Sequence, residues 1–199
     1  MAPSALILDY GEVLTRRQAR EHLQAMATLA GLPLEEFRAR YWRHRHAYDS
    51  GLPVREYWLR VVDDVPMSDR VIQEIIDIDV RSWMDYRDEV WDLAARFRAR
   101  GGRTAMLSNG VPEIISHIRA DRALDDWFDV VVVSCEVGCA KPAPAIYERC
   151  LAPLAVPPAL ALFVDDRPEN LSAAEALGMR TLHFTGEESV EPLRNLLDL

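Results

Sequence analysis

The sequence lacks several features that would place it in large protein classes. It has only three cysteines, Cys135, Cys139 and Cys150, and no Cys/His cluster has the spacing of zinc ligands. No apolar run approaches the roughly 18 residues of a membrane span, and the N-terminus shows no basic segment followed by an apolar stretch. These absences predict reduced thiols, no membrane partner and a soluble cytoplasmic protein.

An excess of positive charge is also absent. The 199 residues carry a formal net charge of −9, which argues against a nucleic-acid partner because such domains are usually basic. A small anionic substrate remains compatible with this charge, since one pocket can be positive on an acidic protein. Apolar residues make up 49% of the chain, enough for a core in one domain with a small insertion. The sequence leaves both a monomer and a homodimer open.

Apolar periodicity divides the chain into three stretches. The first, "ALILDY", is a short apolar run that predicts a buried strand ending at Asp9. Residues 16–86 show a helical pattern, whereas residues 87–199 alternate short apolar runs with helical segments. Strands that alternate with helices favour an α/β fold with a parallel sheet covered on both faces. We therefore expect an α/β core domain, residues 1–15 and 87–199, and a small all-helical cap, residues 16–86, inserted after the first strand.

Polar side chains follow the predicted strands at the points where the strands end. Each alone has an ordinary structural explanation, such as a helix N-cap or a turn former for an aspartate. Ligands of open α/β sheets bind outside the carboxyl ends of the strands, and the whole set in this order is hard to explain by structural needs alone. The residues are Asp9, Ser108, Asn109, Lys141, Asp165 and Asp166.

This set suits phosphoryl transfer with an aspartate nucleophile. A carboxylate that attacks a phosphate dianion meets like-charge repulsion, and Mg²⁺ between the two groups removes it. Asp9 and Asp166 are the candidates for the two carboxylates that hold this ion. Lys141 would supply a fixed positive charge, and the Ser108 hydroxyl would bind phosphate oxygens.

Four motifs together resemble those of the haloacid dehalogenase-like hydrolase superfamily: "LDYGEVL", "LSNG", "KPAPAIY" and "FVDDRPENLSAAEALGM". The resemblance implies a Rossmann-like three-layer α/β/α sandwich with a helical cap, and a Mg²⁺-dependent phosphatase for a small soluble phosphate ester. It implies Asp9 as the nucleophile, Ser108 as the phosphate binder and Lys141 as the charge anchor. Asn109, the neighbour of Ser108, is a further candidate for substrate binding, as is Lys141 itself. The metal ligands and supporting residues that the resemblance implies are Asp9, the carbonyl of Gly11, Asp165, Asp166 and Asn170.

The chain departs from the resemblance at Gly11. Most phosphatases of that superfamily have an aspartate there, which acts as the general acid for the leaving group and then as the base for water. Glu12 lies one residue further on, and on an extended segment its side chain would point away unless the backbone curls after Asp9. A solvated loop glutamate and a displaced catalytic acid both remain open for Glu12. Without an acid, esters with easy leaving groups are the expected substrates.

Two other functions compete with this hypothesis. "LSNGVPEII" resembles the second motif of the 2-haloacid dehalogenases, which use no metal and also lack an acid two residues after the nucleophile. The adjacent Asp165 and Asp166 argue against that reaction, because a carboxylate pair without phosphate chemistry would only repel the nucleophile. The third hypothesis is a non-catalytic family member that binds a metabolite or a partner. The retention of Asp9, Ser108 and Lys141 argues against it.

Substrate selection should lie in the helical cap, which would cover the strand ends. Its "YWRHRHAY" stretch, residues 41–48, is either a solvated helix face or a handle for an anionic substrate. Arg16 and Arg17 directly follow the first motif and are better placed, and Arg16 is our predicted substrate-binding residue. Three aromatic residues are expected in the core of the cap: Trp42, Tyr57 and Trp58.

Overall fold

The computed structural model describes residues 2–199, and its centre is a parallel sheet of five strands in the order β3-β2-β1-β4-β5. The first strand lies in the middle, paired with β2 on one side and β4 on the other. The carboxyl ends of β2 and β4 therefore lie beside Asp9, and the predicted parallel α/β fold is confirmed. The strands are β1 (Ala5–Leu8), β2 (Arg103–Ser108), β3 (Val130–Val133), β4 (Ala161–Asp165) and β5 (Arg180–His183).

Helices connect and cover these strands, and none of them is long and apolar enough to cross a bilayer. Between β1 and β2 lie α1 (Arg20–Leu29), α2 (Leu34–Asp49), α3 (Val54–Val61), α4 (Asp69–Ser82) and α5 (Asp88–Ala99). The later helices are α6 (Pro112–Arg122), α7 (Leu124–Trp127), α8 (Ser134–Val137), α9 (Pro144–Leu154), α10 (Pro168–Ala176) and α11 (Val190–Leu196).

Side-chain alternation along the central strand builds two apolar layers. Leu6 and Leu8 of β1 belong to one buried cluster, which also holds residues of α5, α6 and α11. Ala5 and Ile7 belong to another, which holds residues of α9 and α10. Because successive strand residues point to opposite faces, both faces of the sheet are buried, as a three-layer α/β/α sandwich requires.

Helices α1–α4 form an all-helical segment, and we call residues 16–86 the helical insertion. Its aromatic rings pack on one another: Phe37 and Trp58 are stacked with centroids 6.5 Å apart, and Tyr57 meets Trp58 edge-on at 4.8 Å. Tyr57 and Trp58 are buried as predicted, but Trp42 is 39% exposed and is not a core residue. The division into two domains stays a prediction, and buried apolar residues of the insertion and the sheet belong to one cluster.

Contacts at both ends of the helical insertion fasten it to the sheet domain. At its base, Thr15 and Tyr86 form an antiparallel bridge, so the two chain crossings lie side by side. At the far end of α2, the Tyr48 hydroxyl donates to the Glu113 carboxylate at 2.8 Å. These contacts hold α2 over the carboxyl edge of the sheet.

Candidate active site

At the carboxyl edge of the sheet, the predicted residues Asp9 and Asp165 lie around the ammonium group of a third predicted residue, Lys141. Lys141 Nζ lies 2.8 Å from Asp9 Oδ1, 2.7 Å from Asp165 Oδ2 and 2.9 Å from the carbonyl oxygen of Leu107. Its three protons thus have three acceptors in the protein. Lys141 is also the only lysine in the sequence, and all other side chains that carry a positive charge at pH 7 are arginines. A compact ammonium matches three acceptors around one point, which a planar guanidinium does not.

The charge on Lys141 is fixed by its neighbours. Burial alone would lower its pKa, but the carboxylates of Asp165 and Asp9 outweigh burial and raise the pKa. The side chain is 2% exposed. Lys141 is therefore a permanent cation in the floor of the site and not a proton donor at neutral pH.

Asp165 is a fully enclosed carboxylate whose two oxygens are both engaged. Besides Lys141, it accepts from the backbone N–H of Arg167 at 2.8 Å and from Asn170 Nδ2 at 2.9 and 3.1 Å. Asn170 thus turns its amide N–H groups towards Asp165. This arrangement fits the supporting role predicted for both residues, because the hydrogen bonds engage both carboxylate oxygens of Asp165 and turn the Asn170 amide nitrogen towards it.

Asp9 and Asp166 carry the unbalanced negative charge of the site. Burial, together with Asp165 and Asp166, raises the pKa of Asp9 to about 7 in spite of Lys141. Burial, Asp165 and Glu12 raise the pKa of Asp166 to about 6. Carboxylate oxygens of Asp9, Asp165 and Asp166 all lie within 4.8 Å of one another. An oxygen-only donor set with excess negative charge fits a hard divalent cation such as Mg²⁺.

The backbone does curl directly after Asp9, in a π-helical turn over Tyr10–Leu14. The Asp9 carboxylate accepts from the Tyr10 N–H at 2.7 Å, and Glu12 adopts a left-handed φ of 57°. This turn brings Glu12 to the lining of the same cavity as Asp9. Its carboxylate lies 3.7 Å from Arg17 Nε. The backbone therefore curls in the way that a catalytic role of Glu12 would require. The Glu12 carboxylate itself lies next to Arg17.

The place of the missing acid is covered by an indole ring. Gly11 has φ −65° and ψ 132°, a backbone conformation open to any L-residue. A Cβ at Gly11 would lie 3.2 Å from Cζ3 and 3.7 Å from Cη2 of Trp83. Trp83 is held in place because its carbonyl accepts from the Tyr10 hydroxyl at 2.7 Å. Sterics beside Gly11, rather than backbone strain, thus oppose a larger side chain.

Ser108 and Asn109, the two candidate phosphate-binding residues after β2, have different surroundings in the structure. Ser108 ends β2, lines the cavity, and makes only a 3.4 Å contact from its hydroxyl to the Asn109 carbonyl. The Asn109 side chain instead clamps the Lys141 backbone, donating to its carbonyl at 2.9 Å and accepting from its N–H at 2.8 Å. Ser108 therefore stays available to a ligand, whereas the Asn109 amide positions Lys141.

The structure places Arg16 away from the site. Its guanidinium donates to the Tyr86 carbonyl at 2.6 Å and pairs with Asp85 at 3.4 Å and Glu89 at 3.2 Å. Arg16 does not line the cavity, whereas Arg17 does. The antiparallel bridge at Thr15 explains the difference, because successive residues of extended chain point to opposite sides. The substrate-binding expectation therefore moves from Arg16 to Arg17.

A cavity of about 310 Å³ lies between the sheet edge and the helical insertion. Its floor holds Asp9, Ser108, Lys141 and Asp166. One wall is apolar and comes from α6, α1 and the strands. The apolar residues of that wall are Leu23, Met106, Ile114, Ile115, Ile118 and Val133.

Several cavity residues of the helical insertion escaped the sequence analysis. Trp83 follows α4, and Arg45 and Asp49 lie one helical turn apart on α2 with an Nε–Oδ1 distance of 2.9 Å. Arg45 is buried against the Tyr41 and Trp83 rings, with its guanidinium carbon 5.4 and 5.8 Å from their centroids. Two residues of the "YWRHRHAY" stretch, Trp42 and Arg45, therefore line the cavity. The sequence signal was the (i, i+4) Arg–Asp spacing on a predicted helix.

A family model described as haloacid dehalogenase-like hydrolase matches residues 3–178. Phosphatase MT3486 of Mycobacterium tuberculosis is 26% identical over 90% of this chain and 86% of its own length. The phosphoserine phosphatase of Thermus thermophilus is 29% identical over 86% of this chain and 62% of its own length. Acyl-CoA dehydrogenase family member 10 of Mus musculus is 39% identical, but the match covers 52% of this chain and only 10% of that protein.

Solved structures share the fold at lower identity. A HAD-like family hydrolase from Porphyromonas gingivalis has a TM-score of 0.77 at 23% identity and covers 100% of both chains. A HAD family enzyme from Bacteroides thetaiotaomicron, in complex with magnesium and inorganic phosphate, has a TM-score of 0.68 at 21% identity, covering 90% of this chain and 93% of its own. The 2-haloacid dehalogenase from Pseudomonas syringae has a TM-score of 0.65 at 17% identity, covering 90% and 85%.

Proposed function

Because this chain belongs to the haloacid dehalogenase-like hydrolase family, we propose that it is a Mg²⁺-dependent phosphatase for a small phosphate ester, with Asp9 as the nucleophile. The observation that carries the proposal is the floor of the cavity. Two carboxylates, Asp9 and Asp166, face one another beside a single buried ammonium group, and their pKa values are raised to about 7 and about 6. Displacement of a halide brings no phosphate charge to neutralise, so a carboxylate that holds a metal ion beside the nucleophile favours a phosphatase over a dehalogenase.

The residues of the floor have separate roles in the proposed reaction. A carboxylate oxygen of Asp9 forms a bond to phosphorus while the ester P–O bond breaks and its electron pair leaves with the alcohol oxygen. Water then attacks phosphorus, the acyl phosphate P–O bond breaks, and Asp9 and inorganic phosphate are released. Lys141 holds Asp9 in place and offsets its charge, and the Ser108 hydroxyl binds a phosphoryl oxygen. Bound Mg²⁺, held by Asp9, Asp166 and the Gly11 carbonyl, would supply neutralisation of phosphate charge.

The leaving-group side of the site determines which esters react. No carboxylate stands at position 11, and Trp83 fills the adjoining space. We propose that the enzyme favours aryl, acyl or anomeric phosphates, whose leaving oxygen tolerates negative charge. The rival is that Glu12 leaves Arg17 and serves as acid and base. A leaving-group series on wild type and Glu12→Gln separates them: steep, equal dependences support our proposal, and a flat wild-type dependence that the variant makes steep establishes Glu12 as the acid.

The decisive experiment measures hydrolysis of an aryl phosphate and of a 2-haloacid with Mg²⁺ and with EDTA. We expect ester turnover that EDTA abolishes and Mg²⁺ restores. Asp9→Asn and Asp166→Asn should each lose this turnover, and Asp69→Asn, an exposed acid of the insertion, serves as the matched control. Haloacid turnover in EDTA that survives Asp166→Asn would establish a dehalogenase. Retained phosphate binding without any turnover would establish a non-catalytic binding protein.

Other expectations from the sequence remain proposals of the same kind. We propose a cytoplasmic location, a small-molecule substrate, no nucleic-acid or membrane partner, and a monomer or a homodimer. The helical insertion would act as the cap that covers the substrate. The three cysteines are unpaired in the structure, as the sequence predicted.

A further inference from the structure

A second recess opens beside the main cavity, on the side of the helical insertion. It has a volume of about 170 Å³ and shares Arg17, Gln18, Leu23 and Arg38 with the lining of the main cavity. Arg20 and Leu34 complete its walls. The recess therefore adjoins the main cavity, and Leu23 is an apolar residue that lines both.

Three of the six residues that line this recess are arginines, and none is acidic. Arg20 has no carboxylate within ion-pair distance among residues 2–199. Arg38 pairs with Glu35 at 3.3 Å through Nη1, but its Nε is buried without a hydrogen-bond partner in the described part of the chain. Arg17 is held only by its 3.7 Å contact to Glu12. A buried guanidinium N–H without an acceptor is costly unless a ligand supplies one.

Two helices also begin at the recess. Arg20 is the first residue of α1 and Leu34 the first residue of α2, and neither helix has a side-chain hydrogen bond at its N-cap, Ala19 or Pro33. The free N–H groups of a first turn favour an anion. The glutamates in these turns, Glu21, Glu35 and Glu36, are exposed to solvent. The recess thus combines three guanidinium groups with two uncapped helix starts.

We propose that this recess binds a second anionic group, a carboxylate or a phosphate, carried by the alcohol part of the substrate. The inference rests on the proposed phosphatase function, which places the reacting phosphoryl group on the catalytic floor. Leu23, which lines both cavities, and the apolar wall of the main cavity would contact an apolar or aromatic spacer. An anion in the recess would also compete with Glu12 for Arg17.

The test uses two esters of the same size that differ in charge, and the ratio of their kcat/KM values in wild type is compared with the ratio in an arginine variant, so that the difference between the two phenol leaving groups cancels. Para-carboxyphenyl phosphate carries the second anion, and para-carbamoylphenyl phosphate is its neutral counterpart of the same size. Since hydrogen bonds to charged groups contribute enough for an effect of about 10- to 100-fold, we expect kcat/KM to favour the carboxylate by that factor, mainly through KM. A double variant, Arg20→Gln with Arg38→Gln, should remove the preference for the charged ester over the neutral one. Arg55→Gln, an exposed arginine of α3 paired with Asp69, is the control and should change nothing.

A binding measurement separates failure of this inference from failure of the proposed function. Calorimetric titration of Asp9→Asn with each ester should show the same preference, lost in the Arg20/Arg38 double variant, even if the wild type turns over no ester. Equal affinity and equal kcat/KM for the two esters would overturn the inference while leaving the phosphatase proposal intact. Activation of the neutral ester by added sulfate, abolished by the double variant, would also overturn it and show that the recess takes a separate anion.

Discussion

The two sides of the cavity are built in opposite ways. On the sheet side, Lys141 satisfies three acceptors at 2.7–2.9 Å, and Asp165 accepts from three groups. On the insertion side, Arg17 meets Glu12 only at 3.7 Å and Arg38 meets Glu35 at 3.3 Å, and both arginine side chains reach solvent, although Arg45 and Asp49 keep a buried pair at 2.9 Å. Closely bonded buried charges hold one geometry, whereas exposed pairs contribute little and exchange easily. We therefore expect the sheet side to carry out the reaction and the insertion side to select the substrate.

The largest effect should come from breaking the sheet side at Lys141. Lys141→Met leaves Asp9 and Asp165 buried without their shared cation, which should lower the free energy of unfolding by about 3–5 kcal/mol. Activity should disappear with it. Chemical denaturation and ester hydrolysis measure the two effects. Lys141→Arg keeps the charge but cannot serve three acceptors around one point, and full activity in this variant would contradict the role of the ammonium geometry.

The next largest effect should come from restoring an acid at position 11, where Trp83 of the insertion covers the sheet side. Gly11→Asp alone meets the Trp83 ring, so Trp83→Leu is combined with it to make room. A general acid contributes about 10²–10⁴ in rate, and we expect the double variant to hydrolyse alkyl phosphates at least about 100-fold faster than Trp83→Leu alone. Gly11→Asn with Trp83→Leu is the matched control. If asparagine accelerates as much as aspartate, the gain is not acid catalysis.

A smaller effect concerns the unbalanced charge of the floor without metal. Because the folded-state pKa of Asp166 is raised from 3.8 to about 6, the folded protein binds this proton more tightly than the unfolded chain. Stability is therefore lost as pH rises from about 4 to 6. In EDTA at pH 8, Asp166→Asn should be more stable than wild type by about 1–2 kcal/mol, and the two should converge near pH 4. Thermal unfolding at both pH values, repeated with Mg²⁺, checks the sign; a destabilised variant in EDTA at pH 8 would contradict it.

The smallest effect should be at Arg16. Arg16→Ala removes ion pairs that are partly exposed and should cost less than about 1 kcal/mol, with KM for the ester unchanged. Arg17→Ala, its neighbour inside the cavity, should change KM. Steady-state kinetics of the two variants compares them directly. A raised KM in Arg16→Ala would contradict this prediction and support a role of Arg16 in substrate binding.

The sequence was sufficient for the sheet side and insufficient for the insertion side. Asp9, Lys141 and Asp166 were predictable because the carboxyl ends of adjacent parallel strands converge wherever the helices lie. Trp83 was not, because its contact with Gly11 depends on how α4 is rotated and docked. The position of Glu12 depends on a left-handed residue inside a π-helical turn, and no propensity argument anticipates that conformation for glutamate.

The solitary lysine makes the site visible to spectroscopy. Because Lys141 is the only lysine among 199 residues, growth on isotope-labelled lysine would give this protein a single labelled side chain, at the centre of the carboxylate cluster. The single ammonium resonance could be assigned without ambiguity. Its chemical shift would report on Mg²⁺ binding beside Asp9 and on formation of the aspartyl-phosphate.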